Sequence, residues 1–307
     1  MRIAIDISSA TPGRTGIGTY TYELVRRLVR SRDHDWVLLF NSLRQLPPDL
    51  PEFRAPHVTL IRRRIPGPAL LKAWQHLDLP DIETLTRGPV DLFHSPATYV
   101  PPQRRGARVT TVHDLYFLEP DARKAHLGGQ YLKWVVRHRL PTVHAILTDA
   151  PSVARQMEEV IGRSPARAVI PIPLGVDPRF FEPVEESRIA EVRARYGFPQ
   201  APFILSSGGA EPRKNADRLQ TAFLRWRREH ARSDMFLLRL GAASGSEPRS
   251  DIIELPYVPM EDLVVLYRMA TALLFPSLHE GFGLPVLEAM ASGTPVLTSP
   301  TVAVTEF

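Results

Sequence analysis

Ala272-Leu273-Leu274-Phe275 runs into Pro276-Ser277-Leu278, then into His279-Glu280-Gly281-Phe282-Gly283, and ends in Leu284-Pro285-Val286-Leu287-Glu288-Ala289-Met290-Ala291. Four apolar residues closed by a proline predict a buried strand over Ala272–Phe275. Proline near the start of an apolar run that stops by Gly293 predicts a helix over Pro285–Ala291. A strand that feeds a helix through a glycine-bearing loop is the repeating unit of a parallel sheet.

The unit recurs in both directions along the chain. In the second half, strands are expected at Phe203–Ser206, Met235–Leu240, Ile252–Leu255 and Pro295–Thr298, with helices at Asn215–His230 and Glu261–Met269. In the first half the strand candidates are Arg2–Ile7, Trp36–Phe40, Val58–Ile61, Val90–His94, Arg108–Val112, His144–Thr148 and Arg167–Ile170. Helical patterns fall between most of them, most clearly Gly18–Arg30, Asp121–Arg139 and Pro151–Ile161. Between the two series, Pro171-Ile172-Pro173-Leu174-Gly175-Val176-Asp177-Pro178 stops helix and central strand alike, and one further helix, Ser187–Tyr196, comes after it. The expectation is α/β throughout: two doubly wound domains, residues 1–175 and 176–307, facing a central ligand cleft at the carboxyl ends of their strands. The second series reaches Phe307 before the strand and helices that would finish such a domain, so the C-terminal domain is expected to be truncated.

Composition narrows the function classes. A chain of 307 residues with 44% hydrophobic and 23% charged content is ordinary for a globular protein, and it has no cysteine, which removes disulfides, thiolate metal sites and cysteine nucleophiles. No apolar run reaches the ~18 residues of a membrane span, and Met1-Arg2-Ile3-Ala4-Ile5-Asp6-Ile7 resembles a first strand more than a signal peptide, so a cytoplasmic protein is expected. The net charge of +5 comes from scattered arginines, with lysine only at 72, 124, 133 and 214. That pattern predicts a solvated surface first and a weak peripheral affinity for an anionic membrane face second, with no nucleic-acid partner.

Four loops at strand ends carry candidate chemistry. Pro12-Gly13-Arg14-Thr15-Gly16-Ile17-Gly18-Thr19-Tyr20 lets backbone approach an anion at a helix start, although its glycines miss the dinucleotide spacing. In Val112-His113-Asp114-Leu115, His113 is placed to donate to a substrate hydroxyl, with Asp114 orienting it or capping the next turn of the chain. Ser206-Ser207-Gly208-Gly209-Ala210-Glu211-Pro212-Arg213-Lys214-Asn215 sets two cations at a helix mouth, where they oppose the helix dipole unless an anion joins them, so Arg213 and Lys214 suggest a phosphate site. In the opening stretch, the amides of Phe282, Gly283 and Leu284 stand at a helix start flanked by Glu280 and Glu288, and a carboxylate accepting two hydrogen bonds suits vicinal sugar hydroxyls. Two carboxylates also equip a glycoside hydrolase, but the cation pair favours a phosphate-bearing donor. Asp33-His34-Asp35 has the Asp-x-Asp spacing of metal-dependent transferases, yet it sits in a loop with no other site residue and is expected to be surface.

Together these residues resemble the retaining glycosyltransferases of family 4, whose GT-B fold pairs two Rossmann-like domains. Gly16-Ile17-Gly18-Thr19-Tyr20, Val112-His113-Asp114-Leu115, Pro212-Arg213-Lys214-Asn215, Pro276-Ser277 and the glutamates at 280 and 288 stand in that family's order. The resemblance implies that Glu288 holds the nucleotide ribose, that Arg213 and Lys214 neutralise the diphosphate, and that Glu280 with the Phe282, Gly283 and Leu284 amides orients the donor sugar. It places Gly16 against the diphosphate and His113 near the reacting carbon, with no metal and no cofactor beyond the sugar nucleotide as co-substrate. The implied activity is transfer of a hexose, mannose among the candidates, to a glycan or lipid-linked saccharide acceptor in surface polysaccharide or glycolipid synthesis. The alternative is a sugar-nucleotide-binding fragment without turnover. Two departures from the family pattern are local: Gly208-Gly209-Ala210 lacks a further arginine, and Pro256-Tyr257-Val258 replaces an amide donor with proline.

Overall fold

The computed structural model describes residues 1–11, 15–119, 127–209, 211–232, 234–241, 251–256, 258–301 and 303–306. The chain forms two compact units, Met1–Pro173 and Leu174–Phe307.

The first unit contains strands β1 (Arg2–Asp6), β2 (Asp35–Asn41), β3 (Val58–Arg63), β4 (Leu92–Ser95), β5 (Ala107–Val112), β6 (Ala145–Thr148) and β7 (Ala168–Pro171). They form one sheet in the order β3-β2-β1-β4-β5-β6-β7, and every neighbouring pair is parallel. The helices are α1 (Gly16–Leu28), α2 (Gly67–His76), α3 (Ile82–Leu85), α4 (Leu127–His138) and α5 (Pro151–Ile161). Successive strand residues point to opposite faces, and each face has its own core. Ala4, Val37 and Leu39 pack in one cluster with Val135 of α4 and Met157 of α5, whereas Ile3, Ile5 and Leu38 pack in the other with Val25 of α1. Burial on both sides is why Ile3–Ile5 of β1 and Trp36–Phe40 of β2 read as unbroken apolar runs.

The second unit repeats the plan on a smaller scale. Helix α6 (Glu186–Tyr196) precedes β8 (Phe203–Ser207), α7 (Ala216–Glu229), β9 (Phe236–Leu240), β10 (Ile252–Leu255), α8 (Met260–Met269), β11 (Ala272–Phe275), α9 (Leu284–Ala291) and β12 (Val296–Thr298). The sheet order is β10-β9-β8-β11-β12, again all parallel. On one face Ile204, Leu237 and Ile252 pack with Phe223 of α7. Phe203 and Phe236 are buried with ring centroids 5.3 Å apart, and Phe198, just past α6, lies 6.2 and 6.1 Å from them. Aromatic groups of this size are worth about 3–5 kcal/mol each on truncation to alanine. Helix α6 is also tied to α8 by polar contacts: fully buried Asp262 accepts from Arg195 Nη1 at 2.7 Å, from Tyr196 Oη at 2.7 Å and from Arg188.

Most elements fall within a residue or two of their sequence-based places. Helix α1 starts two residues early because Thr15 accepts from the Gly18 amide and caps it. The expected start of the helix over Asp121–Arg139 lies outside the described residues, and α4 is described only from Leu127. Helices α2 and α3 carry no clear sequence signal: α2 opens on Gly67-Pro68, and α3 is one turn capped by Asp81, which accepts from the Thr84 amide at 2.9 Å. Among the described residues no helix is long and apolar enough to cross a membrane.

Candidate functional site

In each sheet the connections reverse direction at one place, between β1 and β4 in the first and between β8 and β11 in the second. The carboxyl ends of strands flanking such a reversal leave a crevice where ligands bind.

In the second unit the loops after β8 and β11 meet through one backbone bond and one side-chain bond. The Leu278 amide donates to the Arg213 carbonyl at 2.7 Å, and Asn215 Nδ2 donates to the Pro276 carbonyl at 3.3 Å. Gly208 (φ +144°) and Gly209 (φ +67°) make the first bend, and Pro212–Lys214 forms one 3-10 turn before α7. The glycine at 208 is required: a Cβ there would sit 2.9 Å from Lys214 Cδ, so the lysine stem lies directly over its backbone. The stem carries Lys214 Nζ to 5.0 Å from the centre of the Phe275 ring and into an ion pair with Glu280. Arg213 Nη1 reaches the same Glu280 oxygen at 3.4 Å and the His279 carbonyl at 3.3 Å, while its Nε meets Glu211 at 2.6 Å. Arg213, Lys214 and Glu280 keep only 15%, 12% and 14% of their side-chain surface exposed, so these charges interact with little screening.

Past Glu280, Phe282 is buried and Gly283 takes a left-handed conformation (φ +101°) that only glycine adopts readily. Leu284 and Pro285 then start α9, so Phe282, Gly283 and Leu284 form the turn at its amino end. Glu288 comes next, partly buried, with Oε2 accepting from Tyr267 Oη at 2.9 Å. Burial acts most strongly on its carboxyl, the Tyr267 hydrogen bond opposes that effect, the charge of Asp177 adds to it, and the pKa stands at about 7.

The first unit holds a separate cluster at the ends of β4, β5 and β6. His113 Nδ1 lies 2.7 Å from Asp149 Oδ2, its Nε2 lies 2.9 Å from the Pro96 carbonyl, and its ring meets Tyr20 edge-on at 4.8 Å. Burial opposes charging of His113, but the hydrogen bond and charge of Asp149, the Pro96 carbonyl and the charge of Asp114 outweigh it and raise its pKa above 6.5. His94 responds in the opposite sense. Buried, and beside the His113 charge, its pKa falls to about 4, and its Nε2 lies 3.0 Å from Thr111 Oγ1, which Tyr20 Oη also reaches at 3.2 Å. Gly16 is exposed at the start of α1, the helix that carries Tyr20, and a Cβ there would meet nothing within 4 Å among the described residues.

The structure therefore brings Arg213, Lys214 and Glu280 into contact, sets Phe282, Gly283, Leu284 and Glu288 on the adjoining turn and helix, and places His113 and Gly16 in the other unit. Asp33 is exposed just before β2 and Asp35 is exposed at its first position, and no group of three or more metal-ligating side chains occurs among the described residues.

The sequence model described as Glycosyltransferase Family 4 matches residues 14–180, and that of Glycosyl transferases group 1 matches residues 189–307. The chain belongs to glycosyltransferase family 4. Among curated proteins it is similar to O-antigen chain mannosyltransferase B of Escherichia coli, 27% identical over 305 residues that cover 93% of this chain and 78% of that one. It is also similar to the serotype-specific mannosyltransferase WbdA of E. coli, 38% identical over 36% of this chain, and spans 15% of that longer protein. A D-inositol 3-phosphate glycosyltransferase of Acidothermus cellulolyticus is 32% identical over 50% of this chain, which spans 38% of it. Among solved structures, sucrose-phosphate synthase of Thermosynechococcus elongatus matches with a TM-score of 0.70 at 22% identity, over 100% of this chain and 83% of that one. The lipopolysaccharide glycosyltransferase WaaG matches with 0.69 at 18%, over 99% and 82%. These structural likenesses show the GT-B fold.

Within this family-4 chain, the partners of the candidate residues are what sequence reasoning missed. Asp149, His94 and Pro96 stand at or beside strand ends in the first unit; in the second, Tyr267 and Asp177 act on Glu288, and Ser207 acts on Tyr267. A position at a strand's carboxyl end was the available signal for Asp149 and Ser207. Tyr267 lies inside an apolar helix and carries no such signal.

Proposed function

We propose that this chain is a retaining hexosyltransferase that moves a sugar from a nucleoside-diphosphate donor to a glycan or lipid-linked saccharide in surface polysaccharide or glycolipid synthesis. Mannose is the hexose to test first, because two of its relatives are named mannosyltransferases. The observation that carries the proposal is the cluster in which Glu280 shares one carboxylate oxygen between Arg213 and Lys214 beside the amino end of α9. Cations fixed by a carboxylate next to a helix start suit a diphosphate that gains charge as it leaves.

In this scheme Arg213 and Lys214 take up the growing charge of the leaving nucleoside diphosphate, helped by the amides of Phe282, Gly283 and Leu284. Glu280 holds the two cations and contacts the donor sugar, Glu288 accepts from the ribose hydroxyls, Gly16 lies along the diphosphate, and His113 contacts the sugar. The bond from the anomeric carbon to the phosphate oxygen breaks, and the acceptor oxygen bonds to that carbon on the vacated face. The acceptor proton passes to the departing phosphate, so no protein base and no metal take part. The same proposal keeps the enzyme in the cytoplasm, with its arginine-rich surface in weak contact with an anionic membrane face.

The test is a thermal-shift and transfer panel of UDP-, GDP-, ADP- and dTDP-sugars on the 307-residue chain and on Glu288→Ala. One donor is expected to stabilise the wild type and to give a product whose anomeric configuration, read by NMR, matches the donor, with EDTA present. Absence of any stabilising nucleotide, or a best shift unchanged in Glu288→Ala, overturns the site. Binding without transfer to any acceptor overturns the activity and leaves a sugar-nucleotide-binding protein.

A further inference from the structure

Tyr267 is fully buried near the end of α8, its ring edge-on to Phe180 at 5.6 Å and 74°. A phenol this deep is kept only where its hydroxyl finds partners. The phenol donates to Glu288 Oε2 at 2.9 Å, and the Ser207 side chain at the end of β8 acts on the same hydroxyl, favouring its negative form. Ser207 and Glu288 lie at or beyond the ends of β8 and β11, the two strands that flank the reversal in the second sheet.

A glutamate's terminal torsion is otherwise broad, so an unattached carboxylate samples many planes. The phenol bond pins Oε2 and so fixes the plane of the other edge. Oε1 has no hydrogen-bond partner among the described residues. Among the described residues, the charged and titratable groups acting on this carboxylate are Tyr267 from α8 and Asp177 from the segment before Pro178, and neither supplies a cation. A pinned acceptor edge without a counter-cation suits neutral hydroxyl donors held at fixed spacing.

We propose that Tyr267 is a positioning residue that presents the Oε1 edge of Glu288 to the vicinal hydroxyls of a nucleotide ribose, so that the site selects ribonucleoside over 2′-deoxyribonucleoside diphosphates. The proposal rests on Glu288 being the ribose group of the function proposed above. It adds the part that sets the carboxylate's direction and predicts which nucleotides are refused.

Isothermal titration of the full chain with UDP, GDP and their 2′-deoxy analogues tests it. The wild type is expected to bind the better ribonucleotide about tenfold more tightly than its deoxy analogue, the scale of one hydrogen bond to a charged acceptor. Tyr267→Phe keeps the ring and its packing, and is expected to weaken ribonucleotide binding about five- to tenfold while bringing the ribo-to-deoxy ratio close to one. Ser207→Ala, which loosens the phenol without touching Glu288, is expected to move both quantities the same way by about two- to threefold. Tyr267→Phe added to Glu288→Ala is expected to cost nothing further. A general loss of structure would weaken both nucleotides alike and leave their ratio standing. If Glu288→Ala abolishes discrimination while Tyr267→Phe and Ser207→Ala keep the wild-type ratio, the positioning role is wrong and the ribose assignment stands. If Glu288→Ala itself binds as the wild type does, the ribose assignment fails and takes this proposal with it.

Discussion

His113 and Asp149 meet at 2.7 Å, and the opposite nitrogen of the same ring lies 2.9 Å from the Pro96 carbonyl oxygen. A carboxylate and a carbonyl both accept, so the two contacts favour a proton on each ring nitrogen and raise the pKa of the ring. Thr111, by contrast, gives His94 a partner able to donate or accept, and that ring stays neutral. Two histidines in one cluster are thus shifted in opposite directions.

The His113 pKa is expected above its ordinary 6.5, because Asp149, the Pro96 carbonyl and Asp114 together outweigh its burial. With the folded value raised, the associated stability is fully present below 6.5 and is lost as pH rises through the folded pKa. NMR titration of the ring carbons in wild type and Asp149→Asn checks this. The substitution is expected to lower the His113 pKa, and an unchanged value would show that Asp149 does not hold the charge.

Glu288→Gln separates stability from binding. The folded carboxyl sits at about 7 against an ordinary 4.5, so the stability linked to Glu288 is present below 4.5 and is lost as pH rises through about 7. Glutamine cannot ionise. Its melting temperature is expected to exceed the wild type's by roughly 2–6 °C at pH 8 and to equal it near pH 4.5. Equal curves across the whole range would mean that the carboxylate is not disfavoured by its surroundings.

Two glycines should answer differently to the same substitution. Gly208→Ala forces a Cβ to within 2.9 Å of the Lys214 stem at a φ of +144°, so both fold and cation placement suffer. A cost of about 1–3 kcal/mol is expected from the backbone alone, together with at least tenfold weaker nucleotide binding. Gly16→Ala meets nothing within 4 Å among the described residues and is expected to melt within a degree or two of wild type while still weakening donor binding. Calorimetry paired with nucleotide titration distinguishes them, and a Gly16→Ala protein with wild-type affinity would remove Gly16 from the site.

Asp262→Ala tests what ties α6 to α8. It leaves Arg188, Arg195 and the Tyr196 hydroxyl without their shared acceptor. A fall in melting temperature of roughly 5 °C or more is expected, with faster amide exchange in α6 before the rest of the second unit. Uniform exchange throughout the unit would show that the helix is held by its apolar contacts instead.

Legibility in the sequence tracked the range of each interaction. Ile252–Leu255 and Ala272–Phe275 were readable to the residue, because each is a short, mainly aliphatic run, the first stopped by Pro256 and the second by Pro276. Helix α3 was not, since a single capped turn is too short to show a period. Arg213, Lys214 and Glu280 could be named as neighbours of strand ends, but the ion pair spanning 66 residues from Lys214 to Glu280 is written only in the topology. The same holds for Tyr267, whose helix looks like any other apolar helix until its hydroxyl is traced to Glu288.

Both sheets are parallel throughout the described strands, and this governs how the chain is made as well as what it is. A parallel neighbour cannot be reached by a hairpin, so Ile3 of β1 finds Leu92 of β4 only after the ribosome has delivered about a third of the protein. Until then an apolar first strand waits with one edge unpaired, and β8 waits in the same way for β11. Vectorial synthesis thus exposes a sticky edge twice per molecule, making this a chain whose yield should depend on elongation rate and chaperone supply.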